Sequence, residues 1–154
     1  MLSSTVAILP MANMAASTRT TTVWSGSVTL PDGYTVESGD ILIVQAGTNI
    51  FLGNDKDILV AGRMTVQGTT ASPVILDAPT GNHDGIIFNY TSSGLGSKID
   101  NLTIKNSEYG MTIYSSDPVL TNLRVENADR VAVDLFDSAS PLITNLVIIG
   151  GGQD

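Results

Sequence analysis

Three stretches of this chain spell nearly the same pattern. Ser97-Lys98-Ile99-Asp100-Asn101-Leu102-Thr103-Ile104-Lys105-Asn106 lines up with Asp117-Pro118-Val119-Leu120-Thr121-Asn122-Leu123-Arg124-Val125-Glu126-Asn127. Ser140-Pro141-Leu142-Ile143-Thr144-Asn145-Leu146-Val147-Ile148 follows them. An aliphatic residue recurs at Ile99, Leu120 and Ile143, and an Asn stands two places later each time. Apolar pairs then recur as Leu102/Ile104, Leu123/Val125 and Leu146/Ile148. The Asn step is 21 residues and then 23. Self-similarity at such a period decides architecture before any local propensity does.

Each copy alternates apolar and polar residues, which is the period of a strand and not of a helix. A chain that makes short strands and bends, then repeats above itself, is a coil of parallel strands with equivalent residues about 4.8 Å apart. The recurring Asn then has a reason. At a bend it tolerates left-handed backbone and bonds to groups the strands leave unpaired. Stacked copies of Asn also bond to one another. A turn residue placed by chance would not keep one offset from the aliphatic columns three times.

Two further sets of columns extend the scheme. Gly85-Ile86-Ile87-Phe88 aligns with Gly110-Met111-Thr112-Ile113 and with Ala132-Val133-Asp134-Leu135. Ile86/Met111/Val133 and Phe88/Ile113/Leu135 should point inward, and Ile87, Thr112 and Asp134 outward. Gly85, Gly110 and Ala132 form a small-residue column where the chain bends and room is short. Lys105 and Glu126 share an outward column. From Val23 to Leu76, segments of three to five residues separated by Gly, Asp and Pro repeat the same unit with less regular spacing. Two longer loops interrupt it, Asp77 to Asp84 and Tyr90 to Gly96.

Composition agrees. Apolar residues make up 42% of the 154, charged residues 14%, and Gly is abundant at 15, which suits a folded chain rich in strands and turns. A net charge of −8 argues against a nucleic-acid partner, which needs a basic face. The absence of Cys excludes disulfides, thiol chemistry and Cys-ligated zinc. Residues 1–16 are apolar but broken by Pro10 and Asn13, too short to span a membrane. With small residues at Ala15 and Ala16 they are similar to the end of a secretory signal peptide, although no Lys or Arg precedes them. Residues 1–22 therefore read as a leader and polar linker, and 23–154 as the coil domain.

These columns resemble the right-handed single-stranded parallel β-helix of the pectin lyase-like superfamily, over about residues 24 to 149. The stretches from Tyr34 to Thr48 and from Gly62 to Leu76 look like the opening of large secreted or cell-surface microbial proteins with such repeats. The resemblance implies an all-β solenoid of about five to six turns. It implies nothing definite about activity, because the superfamily holds lyases, hydrolases, adhesins and inert surface proteins.

The chemistry of those enzymes is hard to find here. The family's hydrolases carry Asn-Thr-Asp, Asp-Asp, Gly-His-Gly and Arg-Ile-Lys motifs, and none occurs in this chain. Glycoside hydrolysis needs two carboxylates, and Asp134 with Asp137 is the nearest pair. A solvated pair beside a bend is the plainer reading. The family's lyases hold calcium on several carboxylates. Asp55 and Asp57, with Asn54, form a small acidic loop that is the candidate for it, but a turn whose charges keep it wet is the plainer reading. No cofactor is expected. His83 and Asp84 are the polar spot of most interest, since loops on a rigid coil carry binding residues. A lone His is ordinarily just a surface His. Tyr90, Tyr114 and Tyr109 are the outward aromatics that a carbohydrate site would need. Asn89-Tyr90-Thr91 and Asn101-Leu102-Thr103 fit the N-glycosylation pattern, with Asn101 expected to be tied up in its column.

Leu142 to Ile149 is a strongly apolar rung with no cap in view, so either more chain or another molecule should cover it. End-to-end contact through that rung would be one solution, and a truncated piece of a longer surface protein is the favoured one. The expected role is a non-catalytic, secreted or cell-surface scaffold, structural or adhesive, in contact with a polysaccharide or another surface protein. A fragment of a polysaccharide lyase or glycoside hydrolase is the alternative.

Overall fold

The computed structural model describes residues 18–152, so the leader of residues 1–16 lies outside the described residues. Within them the chain is all-β, a parallel β-solenoid of about six turns. Each turn lays one strand segment on each of three faces. The first face stacks β1 (Thr21–Trp24), β4 (Ile41–Gln45), β7 (Arg63–Gln67), β10 (Lys98–Asp100), and the first segments of β12 (Val119–Phe136) and β13 (Leu142–Gly151). The second stacks β2 (Ser27–Leu30), β5 (Asn49–Leu52), β8 (Val74–Asp77), β11 (Leu102–Tyr114), then the middle of β12 and β13. The third stacks β3 (Tyr34–Val36), β6 (Asp57–Val60), β9 (Gly85–Phe88) and the final segments of β11 and β12. Every pairing is parallel. The first strand begins at Thr21, two residues inside the stretch read as a linker.

The predicted columns meet in register. Met111 lies between Ile86 and Val133, Ile113 between Phe88 and Leu135, and Lys105 opposite Glu126. Leu120, Leu123 and Val125 stand over Ile99, Leu102 and Ile104 and are fully buried with them. Leu146 continues its column, but on the outermost rung it stays 36% exposed. Asn101, Asn122 and Asn145 all take left-handed backbone, at φ 48°, 55° and 57°. Asn145 Nδ2 donates to Asn122 Oδ1 at 2.9 Å, while Asn101 Nδ2 turns to the Gly68 carbonyl and Asp100.

A second ladder runs along the next corner. Asn106 and Asn127 are left-handed at φ 52° and 56°. Asn127 Nδ2 approaches Asn106 Oδ1 at 3.4 Å, and Asn106 Nδ2 donates to Asp77 at 2.8 Å. Bends at two corners are thus held by the same chemistry. Among the described residues no helix is long and apolar enough to cross a membrane.

Candidate functional site

The outer surface of the third face carries the site. Its outward column is Thr35, Leu59, Ile87, Thr112 and Asp134, one residue per turn. Two residues further along the strand, alternation brings Tyr114 and Phe136 out on the same side. They are register partners, and their rings stack with centroids 4.9 Å apart at 13°. A hollow of about 280 Å³ opens beside them, lined by Asp84, Ile87, Tyr109, Thr112, Tyr114, Asp134 and Phe136. A second, of about 520 Å³, is lined by Leu59, Ile87, Asn89, Tyr90, Tyr114, Ser115 and Asp137. They share Ile87 and Tyr114, so they form one groove running along β9 from the Asp84 corner to the Tyr90 turn. Its size is that of a ligand site, and it is open along one side.

Tyr90 stands on a single 3-10 turn, Tyr90–Ser92, that begins the second long loop. The Asn89 side chain caps it, with Oδ1 accepting from Thr91 N at 2.7 Å. Ser92, buried beneath, shares a 2.7 Å hydrogen bond with Ser116 one turn away. The loop is therefore pinned to the coil, and Tyr90 projects from it 69% exposed.

At the opposite end, Asp55, Asp84 and Glu108 bring carboxylate oxygens within 4.8 Å of one another. Burial and then repulsion from Glu108, Asp55 and Asp57 push the Asp84 carboxyl above the usual carboxylate range, against the pull of Lys56. Asp57 is also held up, by burial, but does not belong to that trio. The donors are hard oxygens of the type calcium takes, yet three carboxylates fall short of its six to eight ligands. The neighbouring Asn54 Oδ1 already accepts from Asn82 N at 3.0 Å.

His83 needs a correction. It is not a surface residue but fully buried. Its Nδ1 accepts from Gly85 N at 2.9 Å, and its Nε2 lies 2.9 Å from the Lys105 carbonyl. Those partners fix a neutral ring protonated at Nε2, and burial pulls its pKa below the ordinary histidine value. With the His83–Ser107 bridge, the ring fastens the first long loop to the next turn, with both of its nitrogens bonded inside the coil. Of the sequence-predicted site residues, Asp84, Tyr90, Tyr114, Asp134 and Asp137 do line the groove. Asp134 and Asp137 line different ends of it. Tyr109 joins them, and Arg130 sits above its ring at 5.9 Å while pairing with Glu108 at 2.5 Å.

Phe136, Ile87, Leu59, Glu108 and Arg130 were not anticipated as site residues. Phe136 was within reach, because it follows the outward Asp134 by two positions and Tyr114 by one period of 22. Glu108 sits at the irregular step between Ser107 and Tyr109, where alternation carries no information.

Fold and groove together define a parallel β-helix protein with an open aromatic cleft on one sheet face. No family model matches the chain, and neither a curated protein nor a solved structure matches it.

Proposed function

We propose that this protein is a non-catalytic β-helix scaffold whose third face holds an extended glycan, with the coil serving as a rigid support. The observation that carries this reading is the exposed Tyr114–Phe136 stack beside Tyr90, set on paired parallel strands. The exposed parts of these rings offer apolar contact to one side of a sugar, and the surrounding carboxylates and Asn89 offer hydrogen bonds to its hydroxyls. An exported or cell-surface location and kinship with the pectin lyase-like superfamily belong to the same proposal. They rest on the repeat pattern and the Asn columns. Affinity electrophoresis through gels carrying neutral, acidic or amine-bearing polysaccharides tests it. At least one should retard the protein, and Tyr114→Ala/Phe136→Ala should abolish the retardation. Migration unchanged in every gel would end the proposal.

A second reading has one observation behind it. Asp84, with its raised pKa, and Asp134 line the same hollow, while Arg130 lies in the next one beside Asp134. Two carboxyls lining one hollow, one of them made a weaker acid by burial and by its acidic neighbours, are the parts that glycoside hydrolysis uses. Release of reducing ends or unsaturated products from a polysaccharide, lost in Asp84→Asn, would establish that reading over the scaffold.

A further inference from the structure

The charges around the groove select among glycans. This step rests on the glycan reading above. The charged side chains lining the two hollows are Asp84, Asp134 and Asp137, and no Lys or Arg lines either one. Asp55 and Glu108 bring further carboxylate oxygens within 4.8 Å of Asp84. Two cations border the groove and are paired with its acidic rim: Arg130, in the adjoining hollow, pairs with Glu108 and covers Tyr109, and Lys56 lies by Asp57 and Asp84. Tyr90, and the sides of Tyr114 and Phe136 not stacked on one another, add aromatic surface whose faces are the negative side of the ring quadrupole. The whole chain carries −8, so its field repels a polyanion before contact.

We propose that the groove takes a polymer of amino sugars with free amines, a polyglucosamine, in preference to uronate or fully N-acetylated polymers. Aromatic rings and carboxylates line the same hollows and both attract an ammonium, whereas a polyuronate would set a carboxylate on every unit against three aspartates. An acetylated amine keeps the sugar's shape and loses the charge, so it isolates the electrostatic part.

Isothermal titration with short glucosamine oligomers, their N-acetylated counterparts, galacturonate oligomers and oligolysine separates the outcomes. The free-amine oligomer should bind about tenfold or more tighter than the acetylated one, with an advantage that shrinks as salt rises. Asp134→Asn/Asp137→Asn should narrow that preference, lowering affinity for the free-amine oligomer by a larger factor than affinity for the acetylated one. Equal or tighter binding of the acetylated or galacturonate oligomer, with or without calcium, overturns the amine preference but leaves the glycan groove standing. Free-amine binding that survives Tyr114→Ala/Phe136→Ala reports only net charge and overturns the proposal, as does equal affinity for oligolysine. Failure of every sugar to bind sinks the glycan reading itself.

Discussion

Tyr114 lies directly beneath Phe136 on the outside of the coil, one turn apart, ring on ring at 4.9 Å. Both are more than a third exposed, at 37% and 40%. Aromatic residues stacked in solvent contribute only about 0.5–1.5 kcal/mol beyond their burial. Removing either ring loses that contribution and the area it covers, so it should cost about 2–3 kcal/mol of stability, read by urea denaturation. Binding should fall as well, by roughly tenfold or greater, because the exposed parts of the rings are the contact surface. If Phe136→Ala unfolds the protein or leaves glycan affinity untouched, the stack is not the platform.

His83 makes a separate prediction. Both ring nitrogens are bonded inside the coil, so His83→Ala should cost about 2–4 kcal/mol through two unpaired backbone groups and a cavity. Its acid response follows from the lowered pKa. The unfolded chain takes up a proton near pH 6.5, where the folded chain resists one. The stability from a neutral His83 is thus full above about pH 7 and is lost as pH falls from 6.5 toward the folded value. Asp84 and Asp57 act with the other sign. Their raised values make the fold relatively more stable below the unfolded carboxylate range, and that advantage is lost as pH rises through the folded values. Denaturation midpoints should drop between pH 7 and 5 in the wild type, and that slope should flatten in His83→Gln. An unchanged slope would contradict a folded-state His83 that burial keeps neutral.

Ser107 sits beside that ring. Its hydroxyl is buried and finds no hydrogen-bond partner among the described residues. A buried, unsatisfied polar group costs about 1–3 kcal/mol. Ser107→Ala should accordingly stabilise by about 1 kcal/mol, raising the melting temperature by roughly 2–4 °C. A loss of stability of the same size would show that the hydroxyl has a partner.

The Asn ladder separates backbone from hydrogen bond. Asn122 is left-handed at φ 55° and accepts from Asn145. Asn122→Gly keeps the conformation and loses the bond, so it should cost under about 1 kcal/mol. Asn122→Ala loses the bond and strains the backbone, adding about 1–2 kcal/mol. The Gly variant should therefore unfold at higher urea than the Ala variant.

Much of the coil was legible because two periods agree there, alternation within a strand and about 22 residues between turns. That is why Ile87, Thr112 and Asp134 could be placed on one outward column from the letters alone. The groove was less legible, since its walls come from three turns and a loop whose lengths break the period. The step from Thr65 to Lys98 is 33 residues, not 22, because the two long loops intervene. His83 misled for a related reason. Loops on a coil are ordinarily outside it, but the last residues of this one tuck under the next turn, and no pattern marks that return. Asp84, its neighbour, points to the groove by the same alternation that buries the histidine.

The small-residue column at the entry to the third face gives the sharpest test of the stacking. Gly85 has φ +77°, and a methyl group on it would lie 2.2 Å from the Gly110 and Tyr109 carbonyl oxygens of the turn above. Gly110 repeats the problem one turn later, with the Ala132 carbonyl 2.4 Å from such a methyl group. Ala132 itself is only partly buried and has one fewer full turn above it. Crowding should thus fall along the column. Gly85→Ala combines a backbone clash with a left-handed φ and should cost more than about 3 kcal/mol, enough to compromise folding. Gly110→Ala meets the clash alone and should be intermediate, while Ala132→Gly should cost only about 1 kcal/mol through backbone entropy. Urea midpoints of the three variants should fall in that order. Equal effects for Gly85→Ala and Ala132→Gly would mean that these residues do not lie over one another at the spacing of adjacent strands.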